Sequence, residues 1–133
     1  MVRQELKYMM KTWMKRLTDI SPETKLRHHE AMMTTHDSGT YSIPKSKLGS
    51  SISGTQAIDL YGQLDLGVRQ IDFRYGVFDK CPQDLAVMHG PQCKASYFGE
   101  MIKVKNWVEE NPFEFLIIDA RCEKKLAKTR ETL

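Results

Sequence analysis

The sequence has little of what marks a membrane-spanning, disulfide-rich or disordered chain. Its apolar runs stop at four residues, as in Phe115-Leu116-Ile117-Ile118, far below the ~18 a transmembrane helix needs. The basic segment from Met1 to Leu17 is punctuated by Lys and Arg and leads into no apolar stretch, so a secretory signal is not expected. Cysteine is scarce: Cys81, Cys93 and Cys122 form an odd set without CxxC spacing. That pattern reads as reduced thiols in a cytoplasmic protein, at most peripheral at membranes. Internal repeats and low-complexity tracts are missing. No basic stripe interleaved with aromatics appears either, so nucleic acid is not the expected partner.

What is present suits a single globular domain. The chain has 133 residues, 41% of them hydrophobic and 28% charged, with a formal net charge of +3. The charge is uneven: residues 1–30 carry seven basic and four acidic groups, residues 121–133 five and two, and the middle eight and eleven. Solvated basic ends are the plain reading. A weak attraction to anionic membrane surfaces is the functional one. Nothing in the pattern sets an oligomeric state.

Hydrophobic spacing gives the elements. Leu6, Met9, Met10, Trp13, Met14 and Leu17 recur at helical intervals over 4–17. Ser21-Pro22-Glu23 marks a break or a new helix start. A strand is expected near Ala31–Thr35, and residues 37–54 read as loop. Thr55 is the expected cap of a helix over 56–65 that ends at Gly67. Val68 to Phe73 then reads as a strand, and Leu85 to Met88 as a second one. Residues 97–110 suit a helix burying Phe98, Met101, Ile102 and Trp107, stopped by Asn111-Pro112. Phe115 to Ile118 reads as a strand buried on both faces. Helices alternating with strands in this way predict an α/β fold with parallel strands.

Polar residues gather where those strands should end: His36-Asp37, Asp72 with Arg74, His89, and Asp119 with Arg121. In barrels and open α/β sheets the carboxyl ends of strands carry the chemistry. A lone histidine is most often structural, and His28 and His29 read as surface residues. Asp119, directly after an apolar strand, reads mainly as a partner for backbone donors. Gly39, Gly67 and Gly90 read as turn formers.

In these elements, in sequence order, the chain resembles the X domain of phosphatidylinositol-specific phospholipase C. The resemblance runs from about Trp13 to Arg121. It is carried by Trp13-Met14 and Leu17, Thr35-His36-Asp37-Ser38-Gly39-Thr40-Tyr41, Gln56, Gln63-Leu64 and Gly67-Val68-Arg69. Ile71-Asp72-Phe73-Arg74, His89-Gly90-Pro91, Asn111-Pro112 and Phe115 to Ile118 complete it. The His-Asp-Ser-Gly-Thr and His-Gly-Pro elements look more like the metal-independent bacterial type than the calcium-dependent one. The resemblance implies a partial TIM (β/α) barrel of about the first four strand–helix units. Residues 1–25 would form an amphipathic helix and lead-in, and 26–133 the N-terminal half of a truncated catalytic barrel. A whole barrel takes about 250 residues.

The resemblance also implies an activity: cleavage of the phosphodiester of phosphatidylinositol-type lipids, with no cofactor, into diacylglycerol and an inositol phosphate. His36 would be the base on the inositol 2-hydroxyl. His89 would be the acid on the leaving oxygen, oriented by Asp37. Asp72 would bond the reacting hydroxyl or His36, and Arg74 would stabilise phosphoryl charge. Arg121 would contact substrate, and no metal ligand is expected. Imidazoles suit this division of labour because they titrate near neutral pH. As a truncated barrel, the chain alone is expected to be essentially inactive, and the competing reading is a catalytically inactive barrel fragment that binds a membrane or a partner. A metal-dependent phosphodiesterase is disfavoured, since it needs converging acids where Arg74 stands.

Overall fold

The computed structural model describes residues 2–23, 32–43, 54–78, 80–81 and 83–124. The chain begins with two helices, α1 (Val2–Lys11) and α2 (Trp13–Ile20). They divide at Thr12, whose hydroxyl and amide both donate to the Tyr8 carbonyl, at 2.8 and 3.1 Å. One expected helix is therefore two, and Leu6 and Met9 of its apolar stripe stay exposed. The histidines His28 and His29, and any helix starting near Pro22, lie outside the described residues.

Strand β1 is only Thr34–Thr35, and a single 3-10 turn follows at Thr40–Ser42. Helix α3 (Leu60–Asp65) starts four residues later than the sequence suggests. Its cap is Asp59, whose side chain accepts from the Gly62 amide. Thr55 instead bonds Thr40 and the His36 carbonyl. Strand β2 (Gln70–Gly76) follows, then β3 (Ala86–His89), β4 (Gln92–Ser96), α4 (Tyr97–Glu110) and β5 (Ile117–Lys124). The α4 boundaries match the sequence reading because both ends are chemically marked. Ser96 accepts from the Gly99 amide at the start, and Asn111-Pro112 stops the far end.

Strands β1, β2 and β5 are parallel, with β2 in the middle. Together with α3 and α4 they make a curled α/β sheet, part of a barrel. The expected strand at 85–88 departs from the parallel reading: β3 pairs with β2 antiparallel. The connection from Gly76 to Ala86 is too short for the crossover of a dozen or more residues that parallel strands require. β4, which the sequence reading did not include, returns as the second arm of a hairpin with His89 opposite Gln92. The two-residue loop Gly90-Pro91 turns it. Gly90 has φ +56, the left-handed geometry the first loop position of a tight primed turn demands.

Leu60, Leu64, Val68, Ile71, Phe73, Val87, Val104 and Trp107 form the core between sheet and helices. Beneath it, at the start of β2, Arg69 is wholly buried. It pairs with Glu114 at 2.7 Å, donates to the carbonyls of Leu64, Val68 and Lys11, and lies 4.7 Å from the Trp107 ring centre. One side chain thus ties α1, α3 and the segment before β5 to the start of β2.

Two expected burials do not occur. Phe98 and Ile102 of α4 are 64% and 57% exposed, while Glu100 and Val104 take the inner face. Ile117 and Ile118 are 37% and 41% exposed, because β5 has β2 on one side and no described strand on the other. The cysteine reading also changes. Cys81 and Cys93 form a disulfide with a Cα–Cα distance of 5.8 Å, and only Cys122 is a free thiol.

Candidate active site

β5 pairs along β2 from Gln70 to Gly76 and occupies one of its edges. β1 and β3 must then share the other. β1 climbs this edge as far as Thr35 opposite Ile71. β3 descends it from Ala86 opposite Gly76 and Val87 opposite Tyr75. The two strands run head to head and leave a gap beside Asp72 and Phe73. His36 is the first residue past β1 and His89 the last of β3, so both enter that gap. Opposed strand directions on one edge bring together histidines far apart in the chain.

Asp37 lies at the centre of the gap, fully buried, with φ +49. Asparagine and aspartate tolerate this left-handed region better than other residues with a side chain. Its Oδ2 is 3.1 Å from Nε2 of His36 and 3.1 Å from Nε2 of His89. Its Oδ1 is 2.6 Å from Nε of Arg74. The approaches are by distance and charge: neither Asp37 oxygen accepts an aligned hydrogen bond. His36 presents its other ring nitrogen, Nδ1, to Asp72 Oδ2 at 2.9 Å. His36 is mostly exposed, whereas His89 is three-quarters covered.

Arg74 is gripped by three carboxylates from three segments: Asp37, Asp72 at 3.2 Å and Glu123 at 3.1 Å. The bonds to Asp72 and Glu123 hold its guanidinium firmly protonated, outweighing a small desolvation. Burial alone would raise the Asp72 carboxyl. Bonds from Arg74 and the Asp37 amide, with the charges of Arg74 and Arg121, outweigh it and hold Asp72 below the usual carboxylate range.

The loop carrying His36 is pinned from outside. The Gln56 amide donates to the His36 carbonyl at 2.6 Å. Buried Gln63 donates to the Ser38 carbonyl and accepts from Thr35. Gly39 lies against the core, where a Cβ would meet Phe73 and Val87 at 2.8 Å. Close packing, not a positive φ, requires glycine there.

Five of the six residues singled out from sequence thus meet: His36, Asp37, Asp72, Arg74 and His89. Arg121 does not join them by contact; it pairs with exposed Asp119 on its own strand. Glu123 is a cluster member the sequence reading passed over. Strand alternation from Asp119 and Arg121 was the available signal, since residues two apart share a face. For a metal ion, His36, Asp37 and Asp72 offer ligand atoms within 4.8 Å of one another. The Arg74 guanidinium already stands against both carboxylates as a fixed positive charge.

No known family model matches the chain. A 1-phosphatidylinositol phosphodiesterase of Listeria monocytogenes is 29% identical over 116 residues, covering 86% of this chain and 33% of that protein. A phosphatidylinositol-specific phospholipase C structure from Staphylococcus aureus, solved in work on its membrane binding, superposes with TM-score 0.70 at 24% identity. A variant of the same enzyme gives 0.69 at 25%. Each match covers 95% of this chain and 41% of the solved one. The chain therefore spans well under half the length of these relatives. In sequence and in fold it is similar to the N-terminal part of a bacterial phosphatidylinositol-specific phospholipase C.

Proposed function

We propose that this chain carries the acid–base centre of an enzyme that cleaves phosphatidylinositol-type lipids. The observation that carries the reading is the convergence of two imidazoles and a fixed guanidinium on one buried carboxylate. The similarity to the Listeria and Staphylococcus enzymes supports the substrate class.

The reaction needs one group to take a proton and another to give one. Asp72 holds His36 through Nδ1 at 2.9 Å, and Nε2 takes the proton of the inositol 2-hydroxyl once that hydroxyl displaces its approach to Asp37. The hydroxyl oxygen bonds to phosphorus while the bond from phosphorus to the glycerol oxygen breaks. His89, oriented by Asp37, protonates that oxygen. Diacylglycerol and a cyclic inositol phosphodiester leave, and water can open the latter to an inositol phosphate. Arg74 offers fixed positive charge to the phosphoryl oxygens in the transition state, and Arg121 contacts the head group. The centre acts without a divalent cation, because Arg74 supplies the charge such an ion would bring.

No helix among the described residues is long and apolar enough to cross a membrane, so the lipid is met at the membrane surface. The Cys81–Cys93 bridge favours an oxidising compartment over the cytoplasm. An inactive binding remnant has no physical need for so complete a set of partnered polar groups.

Phosphorus NMR of phosphatidylinositol vesicles tests the proposal, alongside proton NMR of the histidine rings during addition of myo-inositol 1-phosphate. Conversion to a cyclic phosphodiester, or perturbation of both His36 and His89 by the head group, supports it. A protein that gives neither overturns it.

A further inference from the structure

Asp37 and Glu123 each make a polar contact both with Arg74 and with the hairpin carrying His89. Asp37 reaches the imidazole. Glu123 reaches the backbone: its Oε2 accepts the Gly90 amide at 2.7 Å, and its Oε1 accepts from Arg74 Nη1 at 3.1 Å. Glu123 stands on β5, whereas Gly90 belongs to the turn beyond β3, across β2 from it. The carboxylate therefore spans the end of the central strand.

The hairpin needs that tie. β3 pairs with β2 through only two residue positions, Tyr75 with Val87 and Gly76 with Ala86. Past Val87, β2 offers the descending strand no further paired position, yet His89 sits at its tip. A hairpin paired to the sheet only at its base can rock about that base. A hydrogen bond from the first turn residue to a side chain of another strand removes this freedom. Because the same carboxylate grips Arg74, it also fixes where the tip stands relative to the guanidinium.

We propose that Glu123 is a positioning residue that sets the place of His89 against Arg74, acting through the Gly90 amide on one side and the guanidinium on the other. This rests on the acid–base reading of the site. It assigns Glu123 no contact with substrate and no proton to transfer.

The two bonds are separable. Glu123→Ala removes both. Glu123→Gln keeps an oxygen that can accept the Gly90 amide but loses the charge that holds Arg74. The test uses the whole 133-residue chain and two NMR readouts: hydrogen exchange of the Gly90 amide, and ring-proton shifts of His36 and His89 on addition of myo-inositol 1-phosphate. In Glu123→Ala the Gly90 amide is expected to exchange at least tenfold faster. The His89 response to the head group is expected to fall severalfold while the His36 response persists. Glu123→Gln should keep most of the Gly90 protection. It serves as the readout if the alanine variant does not fold, through a weakened His89 response with His36 unchanged.

A variant in which Gly90 exchange and the His89 response both match the parent overturns the proposal. Equal loss at both histidines also overturns it, since that is the mark of general loosening. If neither histidine responds in the parent, the lipid-cleavage reading fails, while the Gly90 exchange comparison still decides whether Glu123 holds the turn.

Discussion

His36 and His89 meet on a single oxygen atom, Oδ2 of Asp37, each through its Nε2 nitrogen at 3.1 Å. The two imidazoles are thus no further apart than twice that distance. If the reading is right, replacing either histidine by alanine lowers lipid cleavage by a factor of ~10²–10⁴, the usual worth of a positioned acid or base. Turnover unchanged in both variants would sink the assignment.

Buried Arg69 and Glu114 make the opposite kind of pair, structural and remote from the chemistry. Replacing Glu114 by alanine leaves an uncompensated buried guanidinium and should cost ~3–5 kcal/mol. Chemical denaturation gives the number. A loss below ~1 kcal/mol would show that Arg69 finds another partner or water.

Gly39 predicts a packing effect. An added methyl at that position meets the Phe73 ring and Val87 at 2.8 Å, so Gly39→Ala should destabilise by ~1–3 kcal/mol as the core gives way. The loss should be smaller in Gly39→Ala combined with Val87→Ala than the sum of the two single changes. Strict additivity would disprove the clash.

The disulfide makes a simple chemical prediction. Under native, non-reducing conditions, thiol titration should find one reactive cysteine, Cys122, and three after reduction of the unfolded chain. The bridge closes a loop of sequence separation 12 around β3 and His89, so cutting it should cost ~3 kcal/mol on the chain-entropy account.

Two carboxyl and phenol environments set the pH limits of stability. Asp72 is held below its ordinary range, so its contribution is present above the unfolded value near ~4 and vanishes as pH falls through the lower folded value. Tyr41 behaves oppositely. Desolvation, then the bond to buried Glu100, pushes its phenol up to about 12. Its contribution is complete below ~10, the unfolded value, and is lost as pH rises toward 12. Unfolding followed against pH should show that alkaline loss in the parent and a smaller one in Tyr41→Phe.

How much of this was open to view in the sequence differs by element. α4 could be bounded to the residue because Ser96 and Asn111-Pro112 are chemical stops. The meeting of His36, Asp37, Asp72, Arg74 and His89 was legible through the motifs that carry the resemblance, not through the strand-end rule, since Asp72 and Arg74 lie inside β2 and β3 runs antiparallel to it. The hairpin was not: the alternation from Gln92 to Ser96 rests on the small residues Cys93 and Ala95 alone, and the direction of β3 follows from loop length, not from its own residues. Nor could Phe115 to Ile118 reveal its exposure, since four apolar residues read alike in a central and an edge strand. The Cys81–Cys93 bridge depends on the same hairpin, which alone brings those residues within reach.

One consequence of Asp37 concerns substitution. Its backbone sits at φ +49, and its carboxylate serves three cationic or protonatable groups. Asparagine would keep the conformation and lose the charge. Glycine would keep the conformation and lose the group. Glutamate would keep the charge on a backbone that disfavours it. Each replacement satisfies one demand by breaking the other, so no single exchange at this position is conservative. A library of all variants at residue 37, selected for activity, should return aspartate alone.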